Sequence, residues 1–267
     1  GDLDGSLKAL ALKLPPEKIL GQDMAVIDPD ALHAAREFMH RSLALEHLEQ
    51  IESLWETLQD AGPHRSDRES IDRRRFANCL LGYAIAAGSE KAVDRAGQQL
   101  AQANNMTDAQ AALVCLLETD SPLRESGLEG FYRRWHGVPV VLDKWFSMQA
   151  LCRKEDTLDR VVALAEHADF SLRNPNRLRS LVGSFCAGNQ VRFHRSDGAG
   201  YAFLGRIVTE LDGLNPQQAA RMVSVFNPWR RFDAGRQALM KAELEQIEAK
   251  PELSKPVFEI VSRALTE

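Results

Sequence analysis

Apolar residues recur three and four positions apart along nearly the whole chain, the spacing that places them on one face of an α-helix. In DPDALHAAREFMHRSLALEHLEQIESLWETL the pattern predicts one long helix. Asp28 is its N-cap, and Pro29 sits in the first turn, where a missing N–H costs nothing. TDAQAALVCLL opens with Thr107 three residues before Gln110, the spacing of a capping box. NPNRLRSLVGSF and NPQQAARMVSVF each begin Asn-Pro, with Asn174 and Asn215 as caps. Gly88, Gly137 and Gly188 read as helix stops. These marks predict about a dozen helices joined by short polar loops. GVPVVLDKW, the one stretch with strand character, reads as a loop leading into a helix.

Helices of similar length in succession predict an all-α architecture. Stacked antiparallel pairs forming an armadillo- or HEAT-like superhelix (an α-solenoid) are the expected class, with an irregular helical bundle as the alternative. At 267 residues and 44% hydrophobic, the chain can bury a sizeable core. No apolar run reaches the ~18 residues of a membrane span, so no membrane partner is expected. The first residues, GDLDGSLKALALKLPP, lack a basic region followed by a long apolar core, so export is not expected either. Cys79, Cys115, Cys152 and Cys186 stand far apart in apolar helical patterns without C-x-x-C spacing. That usage predicts buried free thiols in a reducing compartment, and hence a cytoplasmic protein.

Charge adds a feature that periodicity does not contain. Between Ser171 and Gln237 there are ten arginines (173, 177, 179, 192, 195, 206, 221, 230, 231 and 236), no lysine and four acids, a balance of +6. The whole chain carries -5, so the remainder carries -11. A guanidinium offers a planar fork suited to carboxylates and peptide carbonyls, whereas lysine is a point charge. Either these arginines pair with acids elsewhere on the protein, or some of them face a ligand. Nucleic acid is disfavoured by the acidic total and by the lack of aromatic residues interleaved with the basic ones.

The periodicity narrows the second possibility. Leu178, Leu181, Val182 and Phe185 form the apolar stripe of the first Asn-Pro helix, which leaves Arg179 off the buried face. In the second, Ala219, Met222, Val223 and Phe226 point inward, while Gln217 and Arg221 lie four apart on another face.

Other chemistries are excluded by spacing. His33, His40 and His47 are seven apart on the long predicted helix, leaving about 10 Å between successive Cα atoms, too far for one metal ion. There is no H-E-x-x-H, G-x-S-x-G or Walker-type loop. Gly198 and Gly200 read as a glycine-rich lead into the helix at Tyr201 rather than as a phosphate loop. No catalytic residue, metal ligand or cofactor site is therefore expected in this chain.

The stretches NNMTDAQAAL from Asn104, DKWFSMQA from Asp143, NPNRLRSLVGSF from Asn174, DGAGYAFL from Asp197 and LNPQQAARMV from Leu214 resemble the C-terminal helical domain of bacterial aminopeptidase N, a gluzincin-type zinc aminopeptidase. The resemblance runs over essentially the whole chain. It implies that residues 1–267 are a single C-terminal domain of a larger multidomain enzyme whose catalytic domain is absent from this chain; Gly1, where a native start would carry methionine, is expected to mark an engineered boundary or a domain junction.

On that resemblance the full-length enzyme holds one zinc ion and removes N-terminal residues from short peptides. The zinc motif H-E-x-x-H and the G-A-M-E-N motif belong to the catalytic domain. The helical domain encloses the active-site cavity, with the catalytic and β domains of the same polypeptide and short peptides as its partners. Arg179, Gln217 and Arg221 match family positions facing that cavity, which makes them candidate substrate-binding residues. Met24, Val26 and Ile27 are candidates for the junction with the catalytic domain. The alternative is an autonomous α-solenoid adaptor that binds peptides or proteins.

Overall fold

A computed structural model describes residues 3–60 and 62–266. Among these residues every regular element is a helix. The only extended pairing is an isolated bridge between Ile27 and Phe232. None of the described helices is long and apolar enough to cross a membrane.

Local chemistry sets the helix ends. Asn174 accepts hydrogen bonds from the backbone N–H groups of Asn176 (3.0 Å) and Arg177 (3.3 Å), and Asn215 accepts one from Gln218 (3.2 Å). Each is followed by proline in the first turn, as the two Asn-Pro signals require.

Other ends fall elsewhere than predicted. The cap of Met106–Leu117 is Asn105, which accepts from the Asp108 N–H at 3.0 Å and donates through its amide to the Asp108 carboxylate at 2.7 Å. Thr107 lies inside the first turn. Asn105 prevails because its side chain and that of Asp108 satisfy each other as well as the backbone.

The long helix predicted from Asp28 breaks at His47, whose backbone (φ -114°, ψ 16°) separates Pro29–Glu46 from Leu48–Thr57. His47 thereby leaves the helix that carries His33 and His40. His33 meets Glu17 at 2.8 Å, and His40 packs edge-on against Tyr83 at 4.3 Å between centroids. Of the three glycine stops, Gly88 alone is left-handed, with φ 81°. Helix Pro139–Ala150 begins immediately after Val138, so the stretch with strand character is helical from Pro139 onward. Cys152 lies just beyond that helix rather than within it.

The chain forms two compact units: Gly1–Pro16 with Ala34–His136, and Glu17–His33 with Gly137–Glu267. In the first, helices Arg68–Ala86, Glu90–Gln102 and Met106–Leu117 pack together and bury Leu80, Leu81, Ala92, Ala96, Leu113 and Leu116. In the second the core is aromatic. Phe193 packs edge-on against Phe185 and Tyr201, with centroids 6.0 and 5.3 Å apart, and Tyr201 meets Phe226 at 6.0 Å. These four rings are fully buried. Helix Ala199–Asp212 carries Tyr201 into that core because Gly200 presses against the Phe193 carbonyl, where a Cβ would overlap it.

Candidate functional site

The two Asn-Pro helices belong to the second unit. From Pro175 the first runs through an α-helical turn, a π-helical turn over Arg179–Gly183 and a further α-helical turn to Gly188. The π-turn closes with the Ser184 N–H donating to the Arg179 carbonyl. Leu178, Leu181, Val182 and Phe185 are buried, as the stripe predicts.

The two arginines of this turn take opposite roles. Arg177 points inward, pairs with Asp143 at 2.5 Å and lies 5.1 Å from the centre of the Phe146 ring. Arg179 is exposed and donates to the Asn176 side chain at 2.7 Å. In the second helix, Pro216–Val223, Ala219 and Val223 are buried, and Gln217 and Arg221 are exposed one turn apart. Neither of these two side chains has a hydrogen-bond or ion-pair partner among the described residues.

The other arginines are mostly occupied by the protein itself. Arg192 donates to the Arg153 carbonyl (2.6 Å), Arg195 pairs with Asp197 (2.5 Å), and Arg206 with Glu166 (3.6 Å). Arg230 stacks on Trp229, 4.2 Å from the ring centre, and donates to the carbonyls of Ala264 and Leu265. Arg231 donates to the carbonyls of Gly21, Gln22 and Met24, and Arg236 to Asp30, Asp233 and the His194 carbonyl. Met24 and Ile27 are thus engaged within their own unit, where Ile27 also donates to the Arg231 carbonyl at 2.6 Å; Val26 is exposed.

Seven of the ten arginines are therefore engaged by acids or carbonyls of the fold, and Arg173, Arg179 and Arg221 have no acid partner among the described residues. Arg173, one of the ten arginines of the basic segment, stands directly before the Asn174 cap. It lines a 310 Å3 depression with Arg206 and Glu210, beside Leu214, which immediately precedes the second Asn-Pro helix.

Burial shifts His194 and Cys186 in the core of this unit. His194 is buried beside Tyr201 (Nδ1 to hydroxyl 2.9 Å), and burial, reinforced by the nearby Arg236 charge, pushes its pKa down to about 3. Burial raises the Cys186 thiol well above its ordinary value. Among the described residues no three His, Cys, Asp or Glu side chains converge to hold a metal ion. The exposed guanidinium of Arg179, and the Gln217 amide and Arg221 guanidinium one turn apart on the other helix, can each donate to carboxylates and carbonyls, and none of them supplies a nucleophile or a base.

This is an all-helical domain whose residues 1–266 match the family described as "Domain of unknown function (DUF3458_C) ARM repeats", in keeping with the armadillo-like class expected from the helical pattern. The chain belongs to that family and corresponds to the C-terminal helical part of aminopeptidase N. It is 39% identical over 260 residues to aminopeptidase N of Caulobacter vibrioides, and 34% identical over 263 residues to that of Escherichia coli. These alignments cover 97% and 98% of this chain but 30% of each relative. The crystal structure of Legionella pneumophila aminopeptidase A in complex with aspartic acid matches with a TM-score of 0.91 at 28% identity, covering 99% of this chain and 32% of that one.

Proposed function

We propose that residues 1–267 act as the C-terminal domain of a zinc-dependent aminopeptidase that trims short peptides, enclosing its active-site cavity and binding the peptide beyond the scissile bond through Arg179, Gln217 and Arg221. The observation that carries this reading is the division of labour among the arginines. Those locked to acids and carbonyls build the fold, while Arg179 and Arg221, with Gln217 beside the latter, keep free donors at the surface. Guanidinium forks suit the peptide's carbonyls and terminal carboxylate, and the Gln217 amide suits its main chain.

Zinc chemistry would belong to the preceding domains of the same polypeptide. The described residues of this chain offer no group of three converging His, Cys, Asp or Glu side chains to hold a metal ion. Four free cysteines accord with a reducing, cytoplasmic setting. An autonomous adaptor is the less favoured reading, because the curated relatives are more than three times as long as the aligned stretch.

In the full-length enzyme, Arg221→Ala is expected to raise KM for tripeptides by about tenfold or more while kcat changes little, as for loss of a charge-assisted hydrogen bond made equally in ground and transition states. Unchanged KM and kcat would overturn the peptide contact. An immunoblot of source cells should show a band several times heavier than 29.8 kDa; a band at that mass would favour the adaptor.

A further inference from the structure

Helix Gly5–Ala11 is held to its unit in an unusual way. It has no buried residue. Polar and backbone contacts hold it instead: Ser6 donates to Asp72, the Tyr83 hydroxyl donates to the Leu12 carbonyl, and Gly5 lies so close to the Asp72 carbonyl that a Cβ would overlap it. Its leucines face outward. Leu7 and Leu10, one turn apart on the helix, are 44% and 65% exposed, and Leu3, just ahead of the extended Asp4 N-cap, is 51% exposed. Beside them runs an 820 Å3 groove, lined by Leu7, Leu10 and Leu12 and, across from them, by Cys79, Gly82 and Tyr83. An apolar stripe bordering an apolar groove is the pattern of a surface that is covered in the working protein.

Two observations say what covers it. Of the four cations lining the groove, Arg68 is engaged by Asp4 (2.8 Å) and Asp72 (3.2 Å) and Arg36 lies near Glu37 (3.8 Å), while Lys13 and Arg75 have no carboxylate partner among the described residues, so the groove keeps an excess of positive charge at those two. The aligned stretch is also 30% of relatives whose C-terminal part this chain matches, so a polypeptide of that length brings most of its residues in ahead of Gly1, two positions from Leu3. We infer that this leucine stripe and groove are the seat of the domain immediately preceding Gly1 in the full-length polypeptide, which docks an apolar ridge flanked by acidic side chains. This rests on the reading of the chain as the C-terminal part of a longer protein, and not on the peptide contacts of Arg179, Gln217 and Arg221.

The test is hydroxyl-radical footprinting of the intact polypeptide, folded and in urea. Loss of labelling at Leu7 and Leu10 on folding is the expected result. The double charge reversal Lys13→Glu, Arg75→Glu should restore labelling at both leucines, and Leu10→Glu should expose Leu7. Labelling in the folded protein that matches the urea control would overturn the proposal. Protection that disappears on dilution would also overturn it, by showing that a second copy covers the stripe. The readout is independent of turnover: shielded leucines together with an unchanged KM in Arg221→Ala would support this surface and sink the peptide contact alone.

Discussion

His194 shows how one buried side chain couples stability to pH. In the fold it is held neutral by burial, with a pKa near 3 against an ordinary 6.5. An unfolded chain therefore binds a proton that the folded chain refuses once the pH drops below 6.5, so stability is present above that pH and is lost on acidification down to about 3. Between pH 7 and pH 5 this group alone should cost about 1–2 kcal/mol. Urea midpoints at the two pH values should accordingly fall less on acidification for His194→Gln than for the wild type, and equal falls would show that another group carries the effect. Asn189 makes a different residue-level contribution. Buried, it donates to the carbonyls of Ala150 and Cys152 at 3.0 and 2.7 Å and accepts from the Arg192 N–H at 3.3 Å. Asn189→Ala would leave these buried groups unpaired and should lower stability by about 1–3 kcal/mol in urea melts.

At the scale of elements, two glycines separate backbone conformation from close packing. Gly88 ends helix Arg68–Ala86 with φ 81° and has open space where a Cβ would stand, so Gly88→Ala should cost only the left-handed strain, about 1–2 kcal/mol. Gly200 has an ordinary helical backbone but abuts the Phe193 carbonyl. Gly200→Ala must displace backbone beneath the aromatic core, and its thermal midpoint should fall further than that of Gly88→Ala; the reverse order would mean that the helix start at Ala199 yields easily. The same contrast explains what the sequence revealed about these elements. A glycine stop is a local signal and was legible at Gly88, whereas the reason for Gly200 lies in a different helix. The break at His47 was likewise hidden, because the apolar periodicity continues across it.

For the molecule as a whole, the basic third has two uses for one residue type, one internal and one facing outward. If the exposed residues bind peptide beyond the scissile bond, the effect of removing them must depend on substrate length. In the full-length enzyme, Arg179→Ala and Gln217→Ala should weaken kcat/KM for tripeptides and leave an aminoacyl amide, which has nothing beyond the scissile bond, unaffected; equal losses on both substrates would point to a structural role instead. The sequence by itself determined the helical class, the two Asn-Pro starts and the exposure of Arg179, Gln217 and Arg221, because periodicity and capping act over a turn or two of chain. Only the tertiary structure decided which arginines remain available. Apart from Asp197, two residues from Arg195, and Asp233, three from Arg236, the partners that occupy the others are remote in sequence, Asp143 for Arg177 across 34 residues, Asp30 for Arg236 across 206 and the Gly21 carbonyl for Arg231 across 210. Such pairings arise only when packing brings distant helices together, and no local pattern encodes them.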